Sequence, residues 1–216
     1  MSTDEKEKRD RILTKAEEMF LQHGYSKVTM EEIAFGLGMS KKTLYRFFGN
    51  KETLLRELIS EKQCELMEHI DAIWLQQDLD FVGKFRKTLD YFGERSSKVN
   101  KFNDLQKLVP DLWKEIHAFK KEKVLEKIKH VLEIGFESGI LRSDLNRDII
   151  ILLYTNAVES LMTPEVLSEL PYNGPQVFEA ISKIIFEGVL TEEGRRKYIS
   201  YKVVKKKGNE KSIIEN

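Results

Sequence analysis

Lys41, Lys42, Arg46 and Lys51 stand among residues 36–51, GLGMSKKTLYRFFGNK, without a single carboxylate, although the whole chain has 36 basic and 36 acidic residues. Cations grouped without carboxylates suit a polyanion: ammonium and guanidinium groups reach phosphate oxygens or guanine O6 and N7, Thr29 and Tyr45 offer hydroxyls to phosphates, and Ser40 and Thr43 lie in the first turn of a helix whose amides also favour phosphate. Lys51 adds charge where the next helix begins. Two other readings fit the same residues: a solvated helical face, or a patch that meets an acidic protein surface.

The elements around the cluster fit the nucleic-acid reading without deciding it. Ile12, Leu13, Ala16, Met19 and Phe20 recur at helical spacing and predict a first helix from about Lys6 to His23, stopped by Gly24. Thr29 to Glu32 reads T-x-x-E, the capping-box pattern, so a short second helix starts at Met30 and turns Ile33, Ala34 and Leu37 inward. Gly38 suits a tight turn, Ser40 is a favoured N-cap, and a third helix follows from Lys41 to about Phe48 with Leu44 and Phe48 inside. Two short helices joined by a glycine turn, the second basic, form a helix-turn-helix that can set one helix in the major groove.

After Gly49 and a capping Asn50, a long fourth helix carries Leu54, Leu55, Leu58 and later apolar residues to Trp74. Helical stripes continue through Phe81 to Phe92, break at RSSK, and resume over Phe102, Leu105 and Val109. One helix is expected from Pro110 to a stop at Gly139, another from Arg147 to Met162 ended by Pro164, and a last core helix through Val189 after the PYNGP loop. No strand pattern occurs, so the fold class is all-α: a helix-turn-helix domain over residues 1–50, a larger helical domain over 51–194, and a tail over 195–216. That tail holds eight basic and two acidic residues and reads as disordered.

The totals limit the function classes. A chain of 216 residues, 41% apolar, can bury a sizeable core, and its net charge of zero excludes a globally basic coat protein. The only cysteine, Cys64, forms no internal disulfide, and the N-terminus lacks the apolar core of a secretion signal. The longest apolar run, Ile149 to Tyr154, is far short of the roughly 20 residues that cross a bilayer. A soluble protein of the cytoplasm, with no membrane partner, is the expectation. No enzyme is expected either: GFESG has the wrong spacing for a nucleophile elbow, and no phosphate-cradling loop occurs. His117 and His130 lie too far apart on one predicted helix to share a metal, so neither metal nor cofactor is expected.

Across residues 9–58, RDRILTKAEEMFLQHGYSKVTMEEIAFGLGMSKKTLYRFFGNKETLLREL, the sequence resembles the DNA-binding domain of the TetR family of bacterial transcriptional regulators. The resemblance is carried by Ile12, Leu13, Ala16, Phe20, Gly24 and Tyr25 in the first helix and its turn. Thr29, Ile33, Ala34, Gly38, Ser40, Leu44, Tyr45 and Phe48 continue it through the helix-turn-helix, and Lys51, Glu52 and Leu54 open the fourth helix. Two positions depart from the family pattern: Lys42 stands where glycine is frequent, and Phe47 where a histidine is common, so base preference does not carry over.

The resemblance implies a repressor that binds a palindromic double-stranded operator as a homodimer and is released by a small-molecule effector, apolar or amphipathic in kind; a regulator without an effector, or an activator, fits the sequence as well. It also implies dimerisation through the last two core helices, here Arg147 to Met162 and Pro175 to Gly188, which nominates Leu152, Asn156, Glu159, Phe178, Ile181 and Ile185. Asn156 and Glu159 equally fit a hydrogen-bonded core pair or pocket groups. Tyr91, Phe92, Phe102, Trp113, His117 and Phe136 are candidates to line an effector pocket, although their helical spacing also suits an ordinary core.

Overall fold

A computed structural model of the chain describes residues 2–99, 105–119, 122–123 and 125–200. Among these no strand occurs, only an isolated antiparallel bridge between Leu141 and Leu190. The described helices include α1 (Thr3–His23), α2 (Met30–Gly36), α3 (Lys41–Phe47), α4 (Lys51–Leu75), α5 (Phe81–Val99), α6 (Leu105–Leu108), α7 (Pro110–Phe119), α8 (Leu125–Glu137), α9 (Arg147–Leu161), α10 (Pro164–Glu169) and α11 (Gly174–Val189). They form two compact units, one from the described residues of 1–69 and 98–119, the other from those of 70–97 and 120–200. The first unit thus extends well past residue 50, and α4 contributes residues to both.

In the first unit, Ile12, Leu13, Ala16 and Phe20 of α1, Ile33 and Ala34 of α2, Leu44 of α3 and Leu54, Leu55 and Leu58 of α4 are buried together. Leu105, Val109 and Leu112 close the same core, which is why α6 and α7 belong with the helix-turn-helix although they follow it by some fifty residues. The first helix starts at Thr3, earlier than the apolar stripe suggests, because Ser2 and Glu5 form a complete capping box.

The second unit is built on Phe81 and Val82 of α5, Val131 and Leu132 of α8, Ile150 and Ile151 of α9, and Phe186 and Val189 of α11. Gly135 makes the approach of α8 possible: a Cβ there would lie 2.6 Å from the rings and methyls of Phe81 and Leu141. Tyr154 of α9 and Ser182 of α11 place their hydroxyl oxygens 3.3 Å apart between the two helices, and burial pushes the Tyr154 phenol above its ordinary value.

The helix expected from Pro110 to Gly139 is described as α7 and α8, which belong to different units, with residues 120, 121 and 124 outside the described ones. Leu112 of α7 packs into the first core and Leu125 of α8 against the second. Two further expectations change. Pro164 does not merely follow a helix; with Thr163 as N-cap it starts α10. The tail is helical over residues 192–200, and Tyr198 is only 1% exposed. Its ring meets Phe186 edge-on at 5.4 Å and its hydroxyl accepts from Nη1 of Arg86 at 3.0 Å, a burial that outweighs the basic composition around it. The expectation for 201–216 lies outside the described residues.

Candidate nucleic-acid interface

The outward face of α3 is set by what its inward face buries. Leu44 and Phe48 are fully enclosed by the first core, so Lys41, Lys42, Tyr45 and Arg46 share the opposite face, with Tyr45 exposed at 42%. Gly38 takes φ 63° in the turn before the helix, a left-handed value that a residue with a Cβ rarely adopts. Ser40 then caps α3: its Oγ accepts from the amide of Thr43 at 3.1 Å and lies 2.8 Å from the Thr43 hydroxyl. The guanidinium of Arg46 stands 5.4 Å from the ring centroid of Phe47, whose other contacts are with the core. The aromatic at position 47 therefore supports a cation at the edge of the face.

Of the eight residues nominated for DNA contact, Lys41, Lys42, Tyr45 and Arg46 project from this face, and the other four make bonds within the first unit. The Thr29 hydroxyl accepts from the amide of Glu32 at 3.2 Å and donates to its carboxylate at 2.8 Å, so its proton is used inside the capping box. Those bonds hold the Glu32 carboxyl below its ordinary range. Ser40 and Thr43 are paired as described.

Lys51, expected as a phosphate anchor, has partners within the first unit. Its ammonium donates to the carbonyls of Tyr25 at 2.9 Å and Val28 at 2.8 Å, and lies 4.2 Å from the Tyr25 ring centroid. It ties the start of α4 to the segment that leads into α2.

A residue that sequence reasoning passed over completes the face. The carboxylate of Glu31 on α2 lies 3.3 Å from Nζ of Lys41, so the carboxylate absent from residues 36–51 is supplied by the preceding helix. The Glu31 carboxyl is held below its ordinary range first by its own backbone amide and then by Lys41. The acidic pair Glu31 and Glu32 was the available signal, but the capping pattern accounts for only the second of them.

The pocket candidates fall in both units. Trp113 and His117 belong to the first unit, with ring centroids 4.8 Å apart. Tyr91, Phe92 and Phe136 belong to the second, where Phe92 packs against Phe178 at 6.2 Å and Phe136 lies 4.7 Å from the Arg147 guanidinium. Phe102 lies outside the described residues. No group of three metal-ligating side chains occurs among the described residues, and no described helix is long and apolar enough to cross a membrane.

The dimer candidates separate by burial. Leu152 is 58% exposed, and Asn156 and Glu159 are exposed beside it on α9. The Asn156 amide donates back to the carbonyl of Leu152 at 2.7 Å, so it is not half of a core pair. Phe178 and Ile181 are buried in their own unit and Ile185 is half-buried, so none of the three leads a surface. Ile184, 73% exposed, is the apolar residue that α11 turns outward, as Ile149 and Leu153 are on α9. A one-residue change of helical phase separates Ile184 from Ile185, too fine for a spacing argument alone.

Residues 12–58 match the profile of the family described as bacterial regulatory proteins, tetR family. The chain is 25% identical over 185 residues to YvaF of Bacillus subtilis strain 168, described as an uncharacterized HTH-type transcriptional regulator, covering 85% of this chain and 96% of that one. Its fold is similar to that of a putative TetR-family regulator from Mesorhizobium loti MAFF303099, with a TM-score of 0.67 at 18% identity over 87% of this chain and 96% of that one. It is also similar to that of the transcriptional regulator FadR from Bacillus subtilis in complex with stearoyl-CoA, with a TM-score of 0.59 at 19% identity over 83% of this chain and 98% of that one.

Proposed function

We propose that this TetR-type transcriptional regulator is a repressor that binds a palindromic operator as a homodimer and is released by a small-molecule effector. The observation that carries the DNA-binding part is the face of Lys41, Lys42, Tyr45 and Arg46, projected by a helix whose other side is locked into the first core. Cations and a phenol on a capped helix after a tight turn are what major-groove docking requires.

A second copy is supported by the exposed apolar side chains Ile149, Leu152 and Leu153 on α9 and Ile184 on α11, which are 53–73% exposed. Effector release rests on likeness to regulators of the same fold, among them a FadR in complex with stearoyl-CoA. An amphipathic acyl compound is therefore the first effector to try. In this reading α4, whose residues serve both units, carries the response from effector to reading head.

Selection of bound duplexes from random sequence tests the reading. An enriched inverted repeat, with half-sites about one helical turn or roughly 34 Å apart, is the expected product. Enrichment of no motif removes the operator, and a single half-site without its mate removes the twofold dimer.

A further inference from the structure

Glu31 stands where a protein that only needed to hold DNA would not place a carboxylate. It is the second residue of α2, and its oxygen lies 3.3 Å from the ammonium of Lys41, the first residue of the reading helix. The side chains are 65% exposed for Lys41 and 43% for Glu31, and a surface pair of this kind contributes little to stability. Nor is Glu31 needed to start α2, because the capping box there is closed by Glu32. What the pair does change is the charge that a duplex meets. The approaching polyanion finds Lys42 and Arg46 but, at Lys41, a cation already neutralised.

We propose that Glu31 is a specificity-determining residue that acts through Lys41, lowering affinity for arbitrary DNA and reserving Lys41 for a base edge. The inference rests on the reading of the chain as an operator-binding regulator. On arbitrary DNA, a phosphate contact by Lys41 competes with its pair to Glu31 for the same ammonium. At a matching step of the operator, guanine O6 and N7 accept from the Lys41 ammonium while it stays beside Glu31, so the pair need not separate. Glu31 is thus a positioning residue, holding a mobile lysine in one direction and discouraging its use as a general anchor.

The test uses full-length Glu31→Gln and fluorescence anisotropy on two duplexes, one carrying the selected operator and one of shuffled sequence, over a series of salt concentrations. The variant is expected to bind shuffled DNA more tightly, with the log affinity against log salt slope steeper by about 0.9 per subunit, the value for one more phosphate neutralised. The ratio of operator to shuffled affinity is expected to fall at least about fivefold, the lower end of what one base pair discriminates. In a Lys41→Met background the same substitution should change neither quantity.

Wild-type slope and ratio in Glu31→Gln would overturn the proposal. So would an equal effect with and without Lys41, since Glu31 would then act by repelling phosphate directly. Failure of the wild-type protein to bind either duplex is a different outcome: it removes the regulator reading itself, and this inference with it. An unchanged melting temperature for Glu31→Gln separates these effects from loss of fold.

Discussion

Lys51 is bound to Tyr25 twice, its ammonium 4.2 Å from the ring centroid and 2.9 Å from the same residue's carbonyl oxygen. With the further bond to Val28 at 2.8 Å, this cation closes the segment between α1 and α2 against the start of α4. Tyr25 and Val28 are buried, so a lost donor is poorly replaced by water. Lys51→Met, which keeps the aliphatic stem, should lower stability by about 1–3 kcal/mol in urea unfolding. The folded fraction should keep the wild-type salt dependence of DNA binding. A slope reduced by about 0.9 per subunit with stability unchanged would make Lys51 a phosphate anchor instead.

Lys42 and Arg46 should behave in the opposite way. Both are exposed on the outer face of α3, so their replacement by alanine should leave the unfolding midpoint within about 0.5 kcal/mol of wild type. Each substitution should nevertheless weaken operator binding, and the salt series divides their roles. A contact to phosphate lowers the slope by about 0.9 per subunit, while a contact to a base edge costs about 1–3 kcal/mol on the operator only. Unchanged operator affinity in both variants would remove α3 as the reading helix.

The exposed apolar residues of α9 and α11 yield a prediction about assembly. Leu153→Glu with Ile184→Glu places a carboxylate on each helix where the wild type exposes 60% and 73% of an apolar side chain. Sedimentation velocity at micromolar concentration should find the variant monomeric, with wild-type helical content and much weaker operator binding. The same substitutions at Phe178 or Ile181 should unfold the second unit instead, because those side chains are buried within it.

Tyr198 tests whether the last described helix belongs to the fold. Removing a side chain that is 1% exposed, in Tyr198→Ala, should cost about 3–5 kcal/mol. Tyr198→Phe, which loses only the hydroxyl that accepts from Arg86, should cost about 0.5–1.5 kcal/mol. Thermal unfolding followed by circular dichroism distinguishes the two. An alanine variant as stable as wild type would mean that residues 192–200 contribute nothing to the core.

What could be read in advance follows from the range of the interactions. Thr29 with Glu32 and Ser40 with Thr43 act over three residues, so their patterns are visible in the chain and the helix starts fall where expected. Lys51 acts over twenty-six residues on a carbonyl, a partner every residue possesses and no sequence marks, so this tie was not visible in the chain. Glu31 reaches Lys41 only because the turn at Gly38 brings two helix starts together. The same holds for Tyr198, whose basic neighbours dominate its composition while its partners Arg86 and Phe186 are distant in sequence. The fold class was legible from helical spacing; which side chains face outward depends on a helical phase that spacing alone does not determine.

The most direct measurement is the anisotropy of a labelled duplex from upstream of the chain's own coding region, compared with a shuffled duplex of equal composition at moderate salt. Saturation at two chains per operator is expected, with a preference of at least about a thousandfold over the shuffled duplex, the lower end for specific regulators. Equal affinity for the two duplexes, or saturation at one chain, would contradict it.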